Sequence, residues 1–91
     1  MNINTEPSTP LVSIIIRTKN EERWIDHCLS AIATQSIQDY EIILVDNNSD
    51  DNSVKIAKKY TDKIINIARF YPGKAINEGI RASSGKFVVI I

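Results

Sequence analysis

The chain has 91 residues, 43% of them hydrophobic and 24% charged, with eleven Lys and Arg balanced by eleven Asp and Glu. Zero formal net charge removes the clustered cationic surface by which a protein holds nucleic acid or an anionic membrane. One cysteine, Cys28, makes no internal disulfide, and together with the one histidine, His27, it cannot complete a four-coordinate zinc site.

The N-terminus lacks the basic and apolar segments of a signal peptide, and no later run approaches the ~20 apolar residues that span a bilayer. The chain therefore reads as cytoplasmic. Residues Met1 to Pro10, with two prolines among Asn, Thr and Ser, carry no hydrophobic periodicity and read as a flexible tail. The fold begins at Leu11. The run from Leu11 to Arg17 is almost continuously apolar and β-branched, the pattern of a strand covered on both faces in a parallel sheet.

Thr18 and Glu21 stand at capping-box spacing, with Asn20 as an alternative cap. Trp24, Ile25, Cys28, Leu29, Ile32 and Ala33 then recur at helical spacing and predict a helix of about four turns with one apolar stripe. In that stripe Trp24 and Cys28 read as core, while His27 falls on the exposed side. A second buried strand follows from Glu41 to Val45, ending in the polar run from Asp46 to Ser53. Val54, Ala57 and Tyr60 mark a short helix whose acidic start and Lys58-Lys59 end suit its macrodipole. Lys63 to Ile67 predicts a third strand. Pro72-Gly73 predicts a turn, Ala75, Ile76, Gly79 and Ile80 a third helix ending near Ser84-Gly85, and Lys86 to Ile91 a fourth buried strand.

Strands alternating with helices define an α/β fold, a Rossmann-like open parallel sheet of about four strands and three helices. The sequence stops inside its most apolar strand, which predicts a partial domain over residues 11–91, truncated at its C-terminal end, with an exposed sheet edge prone to self-association. In such a sheet, ligands bind outside the carboxyl ends of the strands. The loop after the first strand contains no glycine, which disfavours the dinucleotide-binding turn, and no P-loop stretch is present. Asp46 is the leading site candidate. A carboxylate at a strand end can accept a hydrogen bond from a ribose hydroxyl or a base N–H, and it can equally serve as a turn residue satisfying local amides.

Three segments together resemble a known family: Val12-Ser-Ile-Ile-Ile-Arg-Thr-Lys-Asn-Glu21, then Glu41-Ile-Ile-Leu-Val-Asp-Asn-Asn-Ser-Asp-Asp-Asn-Ser53, then Gly73-Lys-Ala-Ile-Asn-Glu-Gly-Ile80 with Ala82-Ser-Ser-Gly-Lys-Phe-Val-Val-Ile90. In order and spacing the chain resembles the N-terminal, nucleotide-sugar-binding half of a family 2 glycosyltransferase with the GT-A fold. The resemblance implies that Asp46 binds the nucleobase, usually uracil, that Thr18 and Glu21 line the nucleoside pocket, and that Asn77 and Gly79 lie on the helix packed beneath it. It extends the nucleotide-binding set to Arg17, Asn20, Asn48 and Lys74. The family's common Pro-Thr-Tyr-Asn loop reads Arg17-Thr18-Lys19-Asn20 here, so a base-stacking ring is replaced by a lysine. Arg17, Lys19 and Lys74 could steer a diphosphate or stand as solvated cations. Asn47-Asn48 occupies the place of a frequent Asp-Gly, and asparagine tolerates the left-handed turn that glycine would supply.

The resemblance also implies a divalent metal, Mg or Mn, for the full-length enzyme, held by a motif that follows the fourth strand, so that no residue of this chain binds it. The resemblance further implies that the parent is an inverting transferase using a nucleotide-sugar donor, a UDP-sugar, and the isolated chain an inactive part of it. The alternative is a free-standing nucleotide-binding or self-associating α/β module without catalysis.

Overall fold

The computed structural model describes residues 10–36, 38–68 and 72–91, apart from the side chains of Pro72, Lys74 and Ala75. The expected tail over residues 1–9 and the middle of the loop before the third helix, residues 69–71, lie outside the described residues. The elements run β1 (Val12–Thr18), α1 (Glu22–Ala33), β2 (Tyr40–Asp46), α2 (Ser53–Ala57), β3 (Ile64–Asn66), α3 (Pro72–Ala82) and β4 (Phe87–Ile90). The four strands form one parallel sheet in the order β3-β2-β1-β4. The chain steps from β1 to β3 in one direction, then returns to place β4 on the other side of β1.

Alternation along the strands sorts the core into two layers, because successive side chains leave a strand on opposite faces. On one face Ile14, Ile16, Ile42 and Leu44 pack with Ile25 and Leu29 of α1 and Ala57 of α2. On the other, Ile15, Ile43, Val45 and Ile67 form a second cluster. There α3 comes close enough that a Cβ on Gly79 would lie 2.5 Å from Cγ2 of Ile15. Strands buried on both faces explain the near-continuous apolar runs of β1 and β2.

Several expectations are corrected. Trp24 is 66% exposed: Ile25 and Leu29 point at the sheet, and Trp24, one position before Ile25, is turned about 100° away from it. Cys28 does pack partly against the core, and His27 is exposed. Pro72 and Gly73 form the first turn of α3 rather than a separate turn, a position where the missing proline N–H costs nothing. Tyr60 follows α2 instead of belonging to it and donates its hydroxyl to Asp26 Oδ1 at 2.7 Å, which ties α2 to α1. The fourth strand forms, but Phe87, Val88, Val89 and Ile90 are all exposed, because the described helices pack mainly over β1 and β2 and leave the faces of β4 largely uncovered.

At the amino ends of the strands a polar cluster replaces the apolar core. Glu41 is buried, and its carboxylate accepts from the Lys63 ammonium, the Ser13 hydroxyl, and both the amide (2.7 Å) and hydroxyl (3.0 Å) of Ser84. Burial alone would raise its pKa, yet the Lys63, Ser13 and Ser84 donors overcome that and lower it from 4.5 to about 2.

Candidate functional site at the carboxyl ends of the strands

β1 and β2 end at the same level, with Thr18 and Asp46 as register partners. The Asn47 amide donates to the Thr18 carbonyl at 2.8 Å, so the two loops leave the sheet side by side. They are then cross-linked by side chains. The Asn20 amide donates to Ser49 Oγ at 2.9 Å while the Asp50 amide donates to Asn20 Oδ1 at 2.7 Å. Lys19 Nζ donates to the Asn48 carbonyl at 3.0 Å. Asn20 and Asn48 both have φ 52, the left-handed conformation that asparagine tolerates.

The capping box does not form, because Thr18 still belongs to β1 and the residue flanking α1, Glu21, makes no side-chain cap hydrogen bond. The free amides at the start of α1 are satisfied from the second loop instead. Glu21 N–H donates to Ser53 Oγ at 2.8 Å and Glu22 N–H to Asp51 Oδ2 at 3.1 Å. Desolvation works to raise the Asp51 pKa, but the donors from Ser53 and Glu22 prevail and hold it below the ordinary carboxylate value.

Between these loops and the end of β4 lies a cleft of about 480 Å³. Arg17, Thr18, Lys19 and Glu21 line it from the first loop, Val45 and Asn47 from the second, and Ile91 from the end of β4. Among these described residues two cations stand against one carboxylate, which favours an anionic occupant. Thr18 is 3% exposed, and among the described residues its Oγ1 has no hydrogen-bond partner. An unpaired buried hydroxyl costs free energy unless something completes it.

Asp46 is 1% exposed. Its Oδ2 accepts from the Ser49 amide at 2.8 Å and its Oδ1 from the Ser49 hydroxyl at 2.5 Å. The turn role considered for Asp46 is therefore the one seen, with two of its roughly four lone-pair positions taken by Ser49. Of the expected nucleotide-binding residues, Arg17, Thr18 and Glu21 meet at the cleft. Asn20, Asp46 and Asn48 instead build the loop framework behind it, and Lys74 lies in α3 with its side chain outside the description. Sequence reasoning passed over Ser49 and Asn47; the Asp-x-x-Ser spacing from Asp46 was the signal for Ser49.

Among the described residues that line the cleft, Glu21 is the one carboxylate and two cations stand beside it, a donor set that does not fit a divalent cation. Among the described residues no group of three or more His, Cys, Asp and Glu could hold a metal ion. No described helix is long and apolar enough to cross a membrane.

A parallel sheet whose strand order reverses beside β1, with a cleft at that reversal, defines a doubly wound α/β domain with its ligand site at the carboxyl ends of the strands. The family model for glycosyl transferase family 2 matches residues 13–91, and the chain belongs to that family. It is 36% identical over 84 residues to EpsJ, an uncharacterized glycosyltransferase of Bacillus subtilis strain 168, covering 87% of this chain and 24% of EpsJ. It is 32% identical to the poly(ribitol-phosphate) beta-glucosyltransferase of Bacillus spizizenii, covering 88% of this chain and 14% of that protein. Among solved structures, Staphylococcus aureus TarS 1-349 in complex with UDP superposes with a TM-score of 0.82 at 28% identity, covering 89% of this chain and 26% of that one. The chain thus spans about a quarter or less of these relatives. The fold is shared at lower identity, 23% with a TM-score of 0.78, by a Pyrobaculum calidifontis mannosyltransferase in complex with GDP-Man and Mn2+.

Proposed function

We propose that this chain is the nucleotide-binding part of an inverting glycosyltransferase that moves a sugar from a UDP-sugar to an acceptor hydroxyl. In that reaction the acceptor oxygen bonds to the anomeric carbon as its bond to the diphosphate breaks, and the hydroxyl proton passes to a base. The observation that carries the reading is the cleft beside β1, which Arg17, Thr18 and Lys19 line together and where the buried Thr18 hydroxyl has no partner among the described residues. The UDP-bound state of TarS, a relative of similar fold, supports uridine diphosphate as the ligand class.

In this reading Thr18 completes its hydroxyl on the nucleoside, and Arg17 and Lys19 offset the diphosphate charge with help from Lys74. Asn20, Glu21 and Asn48 hold the first and second loops around the ligand. Asp46, covered by Ser49, reaches a base N–H only after residues 47–49 shift, so loop opening is part of binding. The Mn2+ in complex with the Pyrobaculum calidifontis mannosyltransferase and GDP-Man supports a divalent cation, Mg or Mn, as the cofactor of the transfer, and none of the residues assigned here is given the task of holding it. Titrating the chain with UDP, and repeating the titration on Asp46→Ala, tests the assignment. Affinity unchanged by Asp46→Ala counts against the role of Asp46.

The exposed side chains of Phe87 to Ile91 favour self-association of the chain through β4. The outer edge of that strand offers unpaired backbone groups on which a second copy can add, and a two-fold pairing covers the same apolar patch on both copies. Light scattering behind a sizing column, over a range of concentrations, should show a monomer–dimer equilibrium. A monomer at every concentration would remove this part of the proposal.

A further inference from the structure

β4 poses a problem of register. Its four residues, Phe87 to Ile90, and Ile91 just after them are all apolar and all exposed. Register is specified strongly only where a slip moves buried side chains into water, and here a slip exchanges one exposed apolar residue for another. The ladder bonds that are observed, Phe87 N–H to the Leu11 carbonyl at 3.0 Å and Ile91 N–H to the Ile15 carbonyl at 2.9 Å, are backbone bonds that a shifted pairing would remake. Half-exposed apolar side chains and backbone ladder bonds thus select only weakly the observed pairing of Val12 with Phe87 and Ile15 with Ile90.

The contacts that do depend on register lie just before the strand. Glu41 Oε2 accepts from both the amide and the hydroxyl of Ser84. It also accepts from the Ser13 hydroxyl, whose oxygen in turn accepts from the Gly85 amide at 2.8 Å. Gly85 permits this approach, since a Cβ there would lie 2.7 Å from the Ser13 backbone nitrogen. Ser13 and Glu41 are themselves register partners on β1 and β2, so the carboxylate is anchored to the two inner strands. Its other oxygen is held by Lys63 from the start of β3. All four strands thus meet at one charge.

We propose that Glu41 is a positioning residue: from the rim opposite the cleft it fixes the register of β4 on β1, and through that the place of Ile91 in the cleft wall. A buried charge is weak evidence for stability, and specifying one arrangement among near-equals is its best-attested use. A two-residue slip, which keeps each side chain on its face, would carry Ile91 about 6.6 Å along the strand, at ~3.3 Å per residue. That would displace Ile91 from its present place in the cleft wall. The inference stands on the sheet alone and does not depend on what the cleft binds.

The test is NMR on the whole chain, comparing wild type with Glu41→Leu and Glu41→Gln and using no ligand. Glu41→Leu removes every acceptor from the cluster, and a second set of amide resonances is expected for residues 84–91. Exchange at the Phe87 and Ile91 amides should quicken about ten-fold or more relative to amides of β2, the signature of local rather than global opening. Glu41→Gln keeps an acceptor for Ser84 and Ser13 and should show one set of resonances, with a smaller but still selective loss of protection at Phe87 and Ile91. Should Glu41→Leu fail to fold, Glu41→Gln alone decides. A single wild-type register in Glu41→Leu, or protection lost uniformly across β1, β2 and β4 in either variant, overturns the proposal.

Discussion

Thr18 and Asp46 are register partners at the ends of β1 and β2, yet they are opposites in hydrogen bonding. The Thr18 hydroxyl has no partner among the described residues, and both Asp46 oxygens are taken by Ser49. One position is left open to a ligand, and the other is closed by its own loop. Thr18→Val should therefore separate stability from binding. Removing an unsatisfied buried hydroxyl should leave stability unchanged or raise it by up to about 1 kcal/mol, while UDP affinity falls several-fold. Urea denaturation and nucleotide titration of the same variant measure the two effects.

Ser49→Ala should behave in the opposite way. It strips one donor from a carboxylate that is 1% exposed, and a buried charged group left short of a partner costs about 1–3 kcal/mol. The Asn20 amide loses its acceptor as well, so the first loop should loosen with the second. Urea unfolding gives the cost, and faster amide exchange at Asn20 and Asp50 would show that the loops are coupled through this one hydroxyl.

The pH dependence of stability should carry the mark of Glu41. Its carboxyl titrates at about 2 in the fold against 4.5 as a free group. A depressed pKa means that the contribution is fully present above pH 4.5 and is lost as pH falls through 4.5 towards 2. At about 1.4 kcal/mol per pH unit, that interval corresponds to at most ~3–4 kcal/mol. Acid unfolding followed by circular dichroism should flatten over this window in Glu41→Gln, and a parallel pH profile in the variant would contradict the assignment.

The parallel sheet and its burial on both faces were legible because β1 and β2 must be apolar on both faces, and long β-branched runs such as Ile14 to Ile16 have few other uses; the strand order was not. The cleft's first loop was legible for the same reason, since loops at the carboxyl ends of parallel strands converge. The Glu41 cluster was not. Its partners Ser13, Lys63 and Ser84 lie 28, 22 and 43 residues away in sequence, and each alone reads as an ordinary polar residue at the end of an element. Trp24 misled because hydrophobic periodicity gives a stripe but not its width. The closure of Asp46 by Ser49 depends on side-chain geometry that spacing alone could only suggest.

Gly79 offers a test of how closely α3 is seated. Alanine is the better helix former by about 1 kcal/mol, yet its Cβ would meet Ile15, a fully buried side chain with no room to yield. Gly79→Ala should therefore be net destabilising, by about 1–3 kcal/mol as in other overpacked cores. A thermal melt showing a stabilised variant would mean that α3 sits farther from the sheet.

The measurement that bears most directly on the nucleotide-binding reading is an NMR titration of the 91-residue chain with UDP at concentrations up to the millimolar range. Shifts should concentrate at the amides of Thr18, Lys19 and Asn47 around the cleft and at Ser49 as the second loop opens, and they should weaken in Thr18→Val. Absence of any shift, or shifts confined to the polar rim around Glu41 and Ser84, would contradict the assignment of this cleft as the nucleotide site.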